Sequence, residues 1–161
     1  MNIGFYINTV GATDQNGEIF NALSDAINND DITDASVFYN DIDYNPIKPK
    51  FGLFNATELW AFTGILIATT LENVMRASKV VNKFKLLYLH DNKEKNLFML
   101  LDIVNNTPVI VRNEKDSNEI YRLTGKKPEI VPKLSIKKIL EVAWWKHLTN
   151  ALSECIMKIT K

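Results

Sequence analysis

The sequence predicts an α/β fold: one three-layer αβα domain on a six-stranded parallel sheet, closed by a long C-terminal amphipathic helix. Three observations carry this reading. Short, nearly all-apolar runs alternate with segments whose apolar residues recur every three or four positions. Those runs lack the in-out alternation of a half-exposed sheet, as strands covered on both faces require. Finally, Ile136, Ile139, Leu140, Ala143, Trp144, Leu148, Ala151, Leu152, Cys155, Ile156 and Ile159 form a continuous stripe from residue 135 to 160, the signature of one amphipathic helix or of two separated near residues 147–150.

Each element follows from its local pattern. "NIGFYINTV" is a β-branched and aromatic run, the first strand. It ends in "GATDQNG", and from Glu18 onward Ile19, Phe20, Leu23, Ala26 and Ile27 fall at helical spacing. "ASVFYND" is a second strand. "YNPIKPKFG" is a connection punctuated by prolines, which remove the N–H that a helix interior needs. "NATELWAF" is a short helical patch with Asn55 as its cap, and "GILIATT" is a third strand, after which Thr70 caps the helix "LENVMRASKVV". "FKLLYLHD" is the fourth strand, "KEKNLFMLLDIVNN" a helix and "TPVIVRN" the fifth strand. "EKDSNEIYRLTG" is a helix closed by Gly125, and "KPEIVP" is the sixth strand. Right-handed crossovers leave few topologies for such units, and the doubly wound order 3-2-1-4-5-6 is the natural one. Residues 1–134 thus form the αβα domain and 135–161 a helix packed on it.

Bulk composition narrows the function classes. A chain of 161 residues, 46% hydrophobic, has the size and apolar content of one compact domain. Basic and acidic residues balance at 19 each, so no net field favours nucleic acid or an anionic membrane surface. No apolar run approaches the ~20 residues of a membrane span, and "MNIGFYINTV" lacks a basic leader region. A soluble cytoplasmic protein is expected. The single cysteine, Cys155, excludes an internal disulfide, and with two histidines in all there is no basis for a zinc cluster; no cofactor is expected.

In an open parallel sheet ligands bind outside the strand C-termini. The residues delivered there are Thr9, Gly11, Ala12, Thr13 and Asp14 after strand one, Asn40 and Asp41 after strand two, and Thr69 and Thr70 after strand three. Strand four delivers His90 and Asp91, strand five Arg112, Asn113 and Glu114, and strand six Pro132 and Lys133. The loop "VGATDQNGE" fits neither G-x-G-x-x-G nor the P-loop pattern, since Glu18 stands where a phosphate-binding lysine would be. Its helix start still offers amides to an anion or a sugar hydroxyl, or else is a glycine turn with a cap. His90 has the side chain suited to proton transfer near neutral pH, and is either a catalytic base or simply the last residue of a strand. Asp91 either holds its tautomer or caps the next helix. Trp144 and Trp145 cannot share one side of a helix, so one of them marks a contact surface.

Four stretches resemble the N-terminal, acceptor-side Rossmann-like domain of two-domain (GT-B type) glycosyltransferases. They are "GFYINTVGATDQNGEIFNAL", "TGILIATTLENVMRA", "KLLYLHD" and "TPVIVRNEKDSNEIYRLTGKKPEIVPKLSI". The last is similar to that family's strand, helix ending in "-TG", and "K-P-x-I-V-P-N" passage into the second domain. Glycosyltransferase-like proteins of bacteriophages offer similar reading frames, so a phage source is expected. The resemblance implies that the Gly11 loop belongs to the acceptor cleft and that His90 matches a strand-end histidine that binds substrate or takes a proton. It also implies that the nucleotide-sugar donor is held mainly by a second domain. Lys133 departs from the family's asparagine, and the 28 residues after it leave no room for that domain in this sequence.

Three readings follow: a catalytically incomplete glycosyltransferase-like domain that binds a sugar, another small molecule or a partner; the acceptor subunit of a split glycosyltransferase; and a flavodoxin-like or response-regulator-like binding module. In the first two, the C-terminal helix is the expected surface for a homodimer or a donor-domain partner.

Overall fold

The computed structural model describes residues 1–81, 84–91 and 96–144. Seven parallel strands form one sheet: β1 (Asn2–Thr9), β2 (Asp34–Asp41), β3 (Gly52–Asn55), β4 (Gly64–Ala68), β5 (Phe84–Leu89), β6 (Val109–Val111) and β7 (Glu129–Ile130). Their order is β3-β2-β1-β4-β5-β6-β7. Four helices connect them: α1 (Asp14–Asn28), α2 (Leu71–Ser78), α3 (Leu97–Asn106) and α4 (Glu114–Thr124). Residues 136–144 are helical as well. Among the described residues no helix is long and apolar enough to cross a membrane.

Alternation along the strands builds the two outer layers. On β1, Ile3, Phe5 and Ile7 face a core shared with Ile19, Phe20 and Leu23 of α1 and with Ile136 and Ile139. Tyr6 faces the other core, shared with Leu71 and Val74 of α2, Ile103 of α3 and Ile120 of α4. Both faces are covered, which is why the strands read as unbroken apolar runs. Each fully buried large side chain contributes roughly 1.5–3 kcal/mol, an upper figure for a chain whose unfolded state is partly compact.

The sheet departs from expectation in one strand, and the order changes with it. Six strands were expected, with residues 64–70 as the third, at the outer edge. The third strand is instead Gly52–Asn55, four residues paired with β2 at the tail of the proline-rich connection. An edge strand needs no apolar run, because one margin faces solvent and short edges avoid unwanted pairing; here Phe54 stacks on Phe38 at 5.8 Å between centroids. β4, buried from Ile65 to Ala68, lies beside β1 in the middle. With β3 counted, the first six strands keep the doubly wound order. The predicted sixth strand is β7, reduced to two residues, after which Pro132–Leu134 makes a 3-10 turn.

Capping residues end or begin the helices as their chemistry dictates. Thr13, Thr70, Asn96 and Asn113 are N-caps whose side chains accept from backbone amides. Asn55 caps the 3-10 helix Ala56–Ala61. Gly125 closes α4 in the left-handed conformation. Gly64 is required where β4 begins: its φ is +131°, and an added Cβ would sit 2.4 Å from the Asn2 carbonyl oxygen. The expected long C-terminal helix is observed over 136–144, and the rest of that prediction lies outside the described residues. Trp144 is 51% exposed, and the Lys85 ammonium stands 5.2 Å from its ring centroid; Trp145 also lies outside the described residues.

Candidate functional site

The winding reverses between β1 and β4, so the crest above their C-terminal ends is the crevice this topology offers a ligand. On the α1 side of the crest, polar groups are engaged with the protein itself. The amides of Val10, Gly11, Ala12 and Thr13 donate to Asp41 O, Thr9 Oγ1, Tyr44 O and Gly11 O. Asn16, 4% exposed, sends its Nδ2 back to the carbonyls of Thr9 and Gly11 at 2.8 and 2.7 Å. Thr13 Oγ1 accepts from the Asn16 amide at 3.1 Å. A phosphate cradle needs such amides turned outward, and here they fasten the loop. Gly11 lets the 43–45 segment close over it, since a Cβ would meet the Asp43 carboxylate at 2.9 Å. Ala12, Thr13 and Asp14 are exposed at its mouth.

Farther along the crest, Arg112 Nη1 donates to Glu18 at 2.6 Å and Nη2 lies 3.9 Å from the Asp91 carboxylate. These contacts link the ends of β5 and β6 to α1. Asn113 caps α4, taking the Asp116 amide at 3.0 Å, and Glu114 is that helix's exposed first residue. Thr69 is buried, with its amide and Oγ1 both donating to the Tyr6 carbonyl at 3.0 and 3.2 Å. Thr13, Thr70 and Asn113 thus share one structural role as N-caps.

His90 stands at the end of β5, as the sequence places it, but its ring is interior. It is 3% exposed, its Nδ1 lies 3.0 Å from the Tyr88 hydroxyl, and the two rings meet edge to face at 5.6 Å. Its amide donates to the Ile110 carbonyl, continuing the β5–β6 pairing.

Open volume lies on both sides of the crest: about 610 Å³ outside the first loop, lined by Ala12, Thr13, Asp14, Glu18 and Asn45, and, on the other side, a groove between α2 and the 3-10 helix that reaches the strand ends themselves. This groove of about 660 Å³ has Tyr6, Asn8 and Asn40 of β1 and β2 as its floor. One wall is Asn55, Thr57 and Leu59; the other is Glu72, Arg76 and Val80. The volume falls within the roughly 300–1,000 Å³ of small-molecule pockets. The Tyr6 hydroxyl donates to Asn40 Oδ1 at 2.7 Å, and Arg76 Nη1 donates to the same oxygen at 3.2 Å. Asn40 Nδ2 donates to Asn73 Oδ1 at 3.1 Å, and Asn73 Nδ2 closes the circuit on the Tyr6 carbonyl at 3.2 Å. Arg76 also pairs with Glu72 at 2.6 Å, and its pKa is raised, first by the hydrogen bond to Glu72 and then by Tyr6. A further depression of about 400 Å³, between residues 104–109 and Lys126–Pro128, lies at the opposite edge of the sheet, away from the switch point.

Of these groove residues the sequence pointed only to Asn40 and its neighbour Asp41. An asparagine in an otherwise apolar strand run is the one local signal, and Asn8 carries it too. Tyr6, Asn73 and Arg76 carried none, because only folding brings positions 6, 40, 73 and 76 together. Comparison of the chain with models of known families, with curated proteins and with solved structures gave no match.

Proposed function

We propose that this chain is a glycosyltransferase-like binding domain: it holds a small polar ligand at the crest of its sheet and does not turn it over alone. The observation that carries the reading is the groove floored by Tyr6, Asn8 and Asn40 beside the point where the winding reverses. Supporting it, the groups best suited to proton transfer or charge stabilisation on the crest are engaged in holding the fold. His90 is buried against Tyr88, and Arg112 is held by Glu18 and Asp91. A transferase must stabilise the charge that develops on a leaving diphosphate, usually the largest catalytic contribution, and the first loop's engaged amides are unsuited to that task.

The test is a pair of measurements on the whole chain. Incubation with uridine-, guanosine- and thymidine-diphosphate sugars should release no nucleoside diphosphate above background. Turnover that disappears in His90→Ala would overturn the reading. Free sugars at ten times their Kd should raise stability by about 1.4 kcal/mol, or roughly 3–6 °C in Tm. If no free sugar or nucleotide sugar moves Tm, the ligand-binding reading is lost.

A further inference from the structure

We infer that the groove between α2 and the 3-10 helix is a binding site for a neutral, polyhydroxylated ligand of one or two sugar rings, with Asn40 as the residue that sets its geometry. This rests on the binding-domain reading above and gives that reading a ligand class.

The first argument is the change of chemistry along one face of the sheet. Lower on this face, Phe38, Phe62 and Leu66 pack as apolar core. Two residues further along β1 and β2 the same face presents Asn8 and Asn40, and Asn73 is added from α2. Asn73 is 0% exposed. Burying amides costs stability unless every group is partnered, and apolar side chains would fill such a position more simply.

The second argument is that the network is fixed before any ligand arrives. Asn40 Oδ1 accepts from both Tyr6 and Arg76, while its Nδ2 donates to Asn73 and reaches Asn8 Oδ1 at 3.4 Å. Turning the amide over would set its N–H groups against the Arg76 guanidinium, which only donates, and its oxygen against Asn73 Oδ1, whose own amide nitrogen is held on the Tyr6 carbonyl. The observed orientation presents the amide oxygen to Arg76 at the groove wall. Asn55 Oδ1 accepts from both the amide and the hydroxyl of Thr57, which leaves its Nδ2 as the group able to donate to a ligand. Donors held in place in advance lower the ordering cost of binding.

The third argument is charge. Among the described residues the ionised lining is one cation, Arg76, against two carboxylates, Glu72 and Asp41, and Arg76 is already paired. A phosphate or diphosphate would meet net negative charge. Hydroxyl groups suit the lining, because each can donate to a carboxylate and accept from an amide. Ala56, Leu59 and Val80 add an apolar surface for the C–H face of a ring.

The experiment follows the asparagine side-chain amide signals by nuclear magnetic resonance in the full chain. Glucose, galactose, N-acetylglucosamine and maltose are titrated in, with inorganic phosphate, uridine diphosphate and putrescine in parallel. At least one sugar should shift the Asn8, Asn40 and Asn73 signals saturably. Tyr6→Phe, which keeps the buried ring, and Asn40→Ala should each weaken that sugar about 5–10-fold. Lys126→Ala, at the opposite edge, should leave the affinity within about twofold, as distant surface changes do. The inference is overturned if sugars shift only the Gly11–Asp14 loop, if no sugar shifts the groove amides, or if phosphate, uridine diphosphate or putrescine shifts them more strongly. In the first case the binding-domain reading survives; turnover of nucleotide sugars would remove that reading without moving these signals.

Discussion

The two sides of the switch point use similar residues to opposite ends. On the α1 side, Asn16 turns inward, and its hydrogen bonds, with those of Thr9 and the exposed Thr13, tie the first loop to itself. On the α2 side, Tyr6, Asn8, Asn40 and Arg76 line open volume while remaining tied to one another. The difference lies in what covers each face. The 43–45 segment closes over the first loop, through Asn45 Nδ2 on the Val10 carbonyl and the Ala12 amide on Tyr44 O. Between the 3-10 helix and α2 no described segment plays that part. A polar side chain near a strand end therefore becomes scaffold or site according to whether another stretch of chain lies over it.

Three substitutions probe this contrast. The largest effect is expected on the scaffold side. Asn16→Ala leaves the Thr9 and Gly11 carbonyls without their partner in a largely buried place and should lower stability by about 2–3 kcal/mol in urea unfolding. Sugar affinity should stay within about twofold, since the change is remote from the groove. A loss of binding larger than the loss of stability explains would erase the distinction between the two sides.

Tyr6→Phe is the matched change on the groove side. It removes one hydroxyl donor and keeps the packing, so about 1 kcal/mol of stability should go, read from the same unfolding curves. Here the affinity should fall with it. A variant that loses stability but binds as the native protein would mean that the Tyr6–Asn40 bond is only structural.

The smallest effect is expected at Arg112. Its side chain is a quarter exposed and its partner Glu18 about half; such pairs are worth about 0.2–1 kcal/mol and weaken in salt. Arg112→Ala should therefore cost about 0.5 kcal/mol, less at high ionic strength, as followed by thermal unfolding across a salt series. A loss of several kcal/mol would show that the contacts to Glu18 and Asp91 organise the whole rim.

Much of the fold was legible because its signals are local. Thr70 precedes helical spacing and takes the N-cap amide, α4 begins at Glu114 as read, and Gly125 follows its last apolar residue. By contrast, α1 starts at Asp14, ahead of its apolar spacing, and Asn96, which lies inside the stretch read as helix, is the cap of α3. The apolar runs are strands because both faces are covered. β3 was not legible: Gly52–Asn55 is four residues long, half exposed, and stable only because β2 offers a pairing edge. The rim was legible as a set of positions but not as a set of roles, since Thr70 beside a ligand and Thr70 capping a helix read alike in sequence.

The sequence by itself determined the α/β class, the apolar strands, the caps at Thr70 and Gly125, and the strand-end addresses of Gly11, Asn40, Thr69, His90 and Asn113. Those properties depend on residues a few positions apart, where periodicity and backbone chemistry act directly. Tertiary structure alone decided that residues 64–68 sit in the middle of the sheet, that His90 is buried against Tyr88, and that Tyr6, Asn40, Asn73 and Arg76 meet around one groove. Such decisions depend on which elements pack over which faces, because burial and hydrogen-bond partnership are set by neighbours thirty to seventy residues away in the chain.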